Sequence, residues 1–491
     1  MDWSLLAPEY ILAGWAAMVV SVDLFWGRLR KDHLAYLAAT GALVATLVSL
    51  VYVNEDKSFG NLIQIDNYAT FFRVFFGLIA FFTCLASAQY VKDRLLHPGE
   101  YYALILLTAI GGIYMAAAKE LLTAYISLEL LSFSLYVLTS YAKFDLRSNE
   151  AGLKYMLLGA FSSAIFLYGM SLIYGVSGTT SFTGIGEALR GDTSEFALAM
   201  FLGLVLIIAG LGFKVAAVPF HMWTPDAYEG APLPITAFIS AISKSAGFAL
   251  FIKLFGQALL PMADDWRWII AGLSAATMAL GNLVAIQQHN IKRLLAYSSI
   301  GQVGFMLMGI AALTPHGPSD PASALLLHLA GYVITNLAAF VCVIVYYNQT
   351  GKEEIADFGG LAERAPFLAL CLTISLFSLA GMPLFAGFAT KFILFQAAAE
   401  QDLLWLSGIA VFMSFISLYY YLVIIKQMYL VEPAEKTRLP VPWLEYGVIA
   451  VLIVGVFVVG LYPQPLFDGV ESATNAVFQT TQAATSAGVG P

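Results

Sequence analysis

Apolar residues in this chain come in long runs rather than in alternation. From residue 8 to residue 462 one pattern repeats: about twenty residues nearly free of charge, then a short polar interruption. A bilayer core about 30 Å thick takes about 20 such residues per helix. On that basis spans are predicted at 8–26 (span 1), 33–53 (2), 67–90 (3), 101–118 (4), 121–141 (5), 150–176 (6), 197–223 (7), 232–260 (8), 267–287 (9), 295–313 (10), 323–347 (11), 366–396 (12), 403–430 (13) and 442–462 (14). The expected fold is an all-α polytopic membrane protein with 14 transmembrane helices.

Two spans break their own pattern. Span 7 runs through LIIAGLGFKVAAVPFHMW, with Gly210, Gly212 and Pro219, and span 12 through LFSLAGMPLFAGFATKF, with Gly381, Pro383 and Gly387. Each carries a lysine beside the break, Lys214 and Lys391. Irregular backbone is tolerated at membrane depth only where protein or water satisfies the freed groups, and a half-helix ending there presents carbonyls that suit a cation. Both spans are therefore predicted to be interrupted elements of an ion path. If spans 4–8 and 9–13 are two units of five, each interrupted helix is fourth in its unit. Five is odd, so the units are inverted relative to each other. The expected organisation is an N-terminal three-helix segment (1–100), a first five-helix repeat (101–260), a second, inverted one (261–430), and span 14 with a C-terminal tail (431–491).

Composition agrees with the pattern. Of 491 residues, 60% are apolar and 11% charged, and the mean hydropathy is +0.79. Soluble domains carry about 25% charged residues, so an aqueous fold is excluded. The opening residues show no basic leader, and span 1 is expected to stay in the membrane. The net charge of -8 is spread over short loops, with no basic block for nucleic acid. Thirteen lysines and arginines fall in the odd-numbered loops and four in the even ones. The positive-inside rule then puts the odd loops in the cytoplasm and both termini outside.

Cys84, Cys342 and Cys371 lie far apart inside apolar runs, which excludes a disulfide framework, a metal site or an iron-sulfur centre in this chain. GIGEAL at 184–189 is a lone glycine fragment, so no nucleotide fold is expected.

Seven basic residues remain inside spans: Arg73, Lys154, Lys214, Lys244, Lys253, Lys391 and Lys426. Each costs roughly 2.5–3.5 kcal/mol at mid-membrane on the insertion scale. Snorkelling accounts for Arg73, Lys154 and Lys426, near helix ends, and leaves Lys253 open. Lys244, central in span 8, and Glu129, central in span 5, cannot snorkel, and the two are expected to face each other. His328, well inside span 11, suits a relay between the lysines of spans 7 and 12, and equally a satisfied core histidine. His221 is expected to serve the loop after span 7.

The segment GFKVAAVPFHMWTPDAYEGAPLPITAFISAISKSAGF (212–248) closely resembles the helix 7 to helix 8 region of the antiporter-like membrane subunits of respiratory complex I, NADH-quinone oxidoreductase. NIKRLLAYSSIGQVGF (290–305) resembles their helix 10 signature, and the likeness runs along the whole chain. Three features narrow the match to one of the three paralogues: ISLELLSFSLY in span 5, a lysine rather than a glutamate in span 12, and no long lateral helix after span 14. Three helices that many mitochondrial versions lack are present, which implies a bacterial or plastid-type source.

The resemblance implies a non-redox subunit of a proton-pumping translocase in the bacterial cytoplasmic (inner) membrane, with no cofactor in this chain. Flavin, iron-sulfur clusters and quinone would belong to partner subunits, and the partners would include paralogous antiporter-like subunits. Carried over by position, Glu129 sets the state of Lys214, Lys244 is the central proton carrier and Lys391 the exit lysine, with His328 a further candidate. The rival expectation is the large subunit of a multisubunit cation/proton antiporter, which shares these motifs and works without NADH or quinone. A solute transporter lacks an obvious substrate pocket, and a haem protein would need paired histidines at depth.

Overall fold

The computed structural model of the chain describes residues 2–25, 33–192, 194–315, 320–433, 435 and 437–487, with side chains as far as 478. Arg28, Arg30, Lys31 and Lys436, counted above among the loop cations, and the loop residue His316 lie outside the described residues.

Among the described residues, thirteen helices are long and apolar enough to cross a bilayer, and two shorter apolar helices, Pro366–Ala380 and Ala386–Ala399, stand in sequence where span 12 was expected. The closely spaced spans 4 and 5 are separate helices, Pro98–Ala117 and Leu121–Thr139. Span 7 is shorter than predicted. Its helix stops at Val215, and after a turn a second short helix, Trp223–Gly230, leads into span 8. Gly210 and Gly212 do not make the break. They lie inside the first helix, where a β-carbon would strike Phe166 or Phe220, so they serve close packing.

Burial sorts the spans. All 21 residues of the span 8 helix, Leu233–Lys253, are buried, and the span 10 and span 11 helices, Ile291–Ala311 and Asp320–Thr350, are nearly so. A helix that is apolar all round belongs at the centre of a bundle. Peripheral spans instead show large apolar side chains such as Phe161, Phe412 and Phe415 to the outside. The central helices are the ones that carry Lys244 and His328.

Contacts divide the loops into two faces. On one, Arg147 reaches Glu353 (3.8 Å), Arg293 pairs with Asp226 (3.0 Å), and the Leu439 amide donates to the Arg364 carbonyl (3.0 Å), all between odd-numbered loops or span ends beside them. On the other, the Lys119 ammonium donates to Ser58 (2.9 Å), the Leu121 amide donates to the Thr180 carbonyl (3.0 Å), and Arg267 meets Gln401, all at even-numbered loops. The second face also holds a small hairpin, Lys57–Phe59 paired with Ile63–Ile65, that the sequence pattern did not announce.

The expected C-terminal tail is instead a helix, Gln464–Ala487, lying across this second face. Gln257 donates to the Val477 carbonyl (3.0 Å), Asn67 to Ser472 (2.8 Å), and Ser323 and Thr474 share a hydrogen bond (2.6 Å). These contacts tie the helix to spans 3, 8 and 11.

One snorkelling assignment fails. Arg73 is buried, and its guanidinium grips both oxygens of Glu9 (2.7 and 3.0 Å) and the Leu5 carbonyl (2.7 Å). A partner from span 1 removes its need for water, a pairing invisible from span 3 alone. Lys253, left open above, is also buried, donating to the Ala116 carbonyl (2.9 Å) at the end of the span 4 helix. Lys154 and Lys426 are exposed or half-exposed; Lys154 pairs with Glu150 (2.7 Å) and Asp226 (2.9 Å).

Candidate functional site

The first break begins two residues past Lys214, at Ala216, which takes the left-handed conformation (φ 70°). Three of the carbonyls freed there are capped by protein. The Ala217 amide donates to Gly212 (2.7 Å), the Trp223 indole to Phe213 (2.8 Å) and the Ser243 hydroxyl to Lys214 itself (3.1 Å). The Lys214 ammonium donates to the Ser132 hydroxyl (2.9 Å), one turn along span 5 from Glu129.

Glu129 is within electrostatic reach of Lys214, yet no ion pair within 4.0 Å joins them, and one buried carboxylate oxygen of Glu129 has no hydrogen-bond partner. A carboxylate and an ammonium that see each other without touching form a pair that small motions can strengthen or weaken. The expected facing of Glu129 and Lys244 is not found. Lys244 instead donates to the Tyr228 hydroxyl (2.6 Å) and to Ser299 (2.8 Å). These hydroxyls come from the short helix after the break and from span 10, and they satisfy the ammonium without a counter-ion.

The second break starts at Gly381 (φ 89°), and here the lysine reaches back across it. Lys391 lies ten residues on, in Ala386–Ala399, and donates to the Leu379 carbonyl (2.8 Å), more weakly to Ala380 (3.5 Å), and to the Ser414 hydroxyl (3.2 Å). Its ammonium also sits 4.7 Å from the centre of the Phe305 ring. The carbonyl end of one half-helix thus holds the cation of the other, where the helix dipole is negative. Gly387 makes the approach possible, since a β-carbon there would stand 1.7 Å from the Ser378 carbonyl oxygen. A cavity of about 190 Å³, lined by Lys391, Ser414, Phe388 and Phe415 among others, opens beside the ammonium.

His328 joins the second lysine to the core. It is buried, with Nδ1 3.0 Å from the Thr390 hydroxyl and Nε2 3.2 Å from the Gln302 side-chain oxygen. The Gln302 amide nitrogen in turn donates to the Leu379 carbonyl (3.1 Å), the same oxygen that receives Lys391. Histidine, glutamine, carbonyl and lysine form one connected network. His221 is half-buried beside the first break and touches neither lysine network through any described hydrogen bond; its Nδ1 is unpartnered.

Sequence reasoning missed Ser132, Tyr228, Ser299 and Gln302. Gln302 had a signal, a lone amide in a span otherwise filled with small and apolar residues. The hydroxyls had none, because serine and tyrosine are common in spans for packing and for bonding their own helix.

Residues 118–417 match the family model described as NADH:quinone oxidoreductase/Mrp antiporter, transmembrane. The chain belongs to this family. It is 41% identical over 466 residues to NADH-quinone oxidoreductase subunit N of Moorella thermoacetica, covering 94% of this chain and 96% of that one. It is 40% identical to NAD(P)H-quinone oxidoreductase subunit 2 of Synechocystis, covering 97% and 93%. Among solved structures it matches respiratory complex I from Thermus thermophilus (TM-score 0.78, 29% identity, 95% of this chain and 99% of that one). The archaeal membrane-bound sulfane sulfur reductase matches at a TM-score of 0.88 with 25% identity, covering 98% and 100%. The Mrp complex from Dietzia shares the fold at 0.86 and 20% identity, covering 99% of each chain.

Proposed function

We propose that this chain is the subunit-N-type antiporter-like member of a quinone oxidoreductase complex. In this reading it carries protons through Glu129, Lys214, Lys244, His328 and Lys391 while partner subunits reduce quinone.

One observation carries the reading. Arg73, a buried cation with a structural task, is clamped by Glu9. The three lysines, equally buried, are held by a hydroxyl, by two hydroxyls, and by carbonyls with a hydroxyl, with no carboxylate in contact. A cation fixed for stability is best held by a counter-ion in contact, as Arg73 is. Groups that must take up and release a proton need partners that tolerate both states, and hydroxyls do, since they donate as well as accept.

Burial disfavours the charged form of a lysine, and a nearby carboxylate favours it. Glu129 approaching Lys214 would hold a proton there; Glu129 withdrawing would send it on toward Lys244 and then, by way of His328 and Gln302, toward Lys391. The redox groups, namely flavin, iron-sulfur clusters and quinone, sit in partner subunits, and this chain contributes no redox centre. Spans 4–8 and 9–13 act as two inverted units, each with a lysine at its break. The face bearing the basic odd loops is cytoplasmic, and both termini lie on the outer side of the inner membrane.

Relatives about 40% identical over nearly the full length carry quinone oxidoreductase names, which favours this reading over a stand-alone cation/proton antiporter. The test is Lys244→Ala in the assembled complex, reconstituted in vesicles, with protons moved per electron as the readout. Removing a proton-transfer group costs on the order of 100-fold or more in rate, so translocation should collapse. An unchanged ratio overturns the relay.

A further inference from the structure

Buried polar side-chain atoms without a hydrogen-bond partner are rare, and each asks for an explanation. Two of them flank Trp223, just past the first break: the Tyr155 hydroxyl and the Thr224 hydroxyl. Tyr155 is 1% exposed, and its ring is firmly placed. It stacks on the Trp223 indole (4.2 Å between centres, 7° between planes) and meets Tyr136 edge-on (4.7 Å). Packing alone would be served equally well by phenylalanine.

The hydroxyl stands where a link is missing. Its polar neighbours are Tyr136, Ser243 and Tyr228. Ser243 donates to the Lys214 carbonyl (3.1 Å), and Tyr228 accepts from the Lys244 ammonium (2.6 Å). No described hydrogen bond joins the partner of the Lys214 ammonium to those of the Lys244 ammonium.

We infer that Tyr155 is the proton-relaying hydroxyl between Lys214 and Lys244, acting through water bound at its free oxygen. The inference rests on the lysine relay proposed above. In the transfer, the Lys214 ammonium loses a proton to the water and becomes an amine. The water passes a proton to the Tyr155 oxygen, whose own proton leaves through a second water to the Tyr228 hydroxyl, and the Tyr228 proton goes to the Lys244 amine, which becomes an ammonium. One proton moves and no electron does. Rotation of the two hydroxyls about their C–O bonds resets the path. A buried unpartnered hydroxyl is the usual mark of a bridging water, which supplies the two to four bonds such a site needs.

Tyr155→Phe separates this role from a structural one, because the two readings disagree in direction. The substitution keeps the stack on Trp223 and deletes only an unpartnered hydroxyl, so a structural reading expects unchanged assembly, unchanged or higher thermal midpoint and unchanged pumping. The relay expects normal assembly and midpoint, with proton translocation per electron lowered at least about tenfold and a changed solvent isotope effect. Tyr155→His, which keeps a ring and a proton-carrying nitrogen, should restore part of the loss. An unchanged ratio in Tyr155→Phe overturns the inference, and so does a failure to assemble, since that would make the hydroxyl structural. Lys244→Ala measured alongside tells the two levels apart. If it stops pumping while Tyr155→Phe does not, only Tyr155 is wrong; if neither matters, the relay itself falls.

Discussion

The two interrupted helices solve one problem in opposite ways. At the first break the lysine belongs to the half-helix that ends, and the freed carbonyls go to an amide, an indole and a serine, so the ammonium is left to Ser132 with Glu129 nearby. At the second, the lysine belongs to the half-helix that begins and itself caps the freed carbonyls, with no carboxylate in contact. Lys214 therefore answers to a charge that can move or be neutralised, whereas Lys391 answers to peptide dipoles that cannot. Under the proposed relay, one break would be switched and the other would be a fixed station.

That contrast can be broken in order of force. Gly387→Ala should be the most damaging change, because its β-carbon would overlap the Ser378 carbonyl and push Ala386–Ala399 away from Pro366–Ala380. Overpacking of this kind costs about 1–3 kcal/mol or more, and the complex should fail to assemble on a native gel. Normal assembly and pumping would show that Lys391 does not depend on the close approach.

Serine removal should come next, and unequally. Ser132 is the one described hydrogen-bond partner of the Lys214 ammonium, whereas Ser414 shares Lys391 with two carbonyls. A hydrogen bond to a charged group is worth about 1.5–3 kcal/mol. Ser132→Ala should thus slow proton translocation about tenfold or more, and Ser414→Ala less than about threefold, both read as proton flux at constant electron flux. Equal effects would remove the distinction between switched and fixed sites.

The smallest effect should be Ala216→Gly. Alanine with φ 70° pays for a conformation that glycine takes freely. Loss of its buried methyl offsets the relief, so thermal stability should stay within about 1 kcal/mol of the starting protein. A clear destabilisation, measured by thermal unfolding in detergent, would mean that Ala216 is held by packing rather than by the needs of the break.

Much of this was legible in the sequence, for identifiable reasons. The spans stood out because hydrocarbon punishes charge over some twenty consecutive residues, and both breaks because glycine and proline flanked lysine in otherwise apolar runs. What stayed hidden depends on neighbours brought together across the chain. Glu9 and Arg73 are 64 residues apart, and nothing in either local pattern predicts that they meet. Lys244 was assigned a carboxylate because a buried ammonium usually has one, and found hydroxyls because Trp223–Gly230 folds Tyr228 back onto span 8. The C-terminal helix was missed because its polarity, read linearly, looks like a tail, while its buried face of Val470, Ala473, Thr474 and Val477 follows helical spacing.

That helix also bears on the order in which the protein is made. Asn67 finds Ser472 across 405 residues of chain, and Gln257 finds Val477 across 220. The ribosome must therefore deliver the chain beyond Trp443–Leu461 before spans 3, 8 and 11 acquire their shared clasp on this face. Until then, the helix that carries Lys244 has at that end the bond from Lys253 to the Ala116 carbonyl but not the clasp.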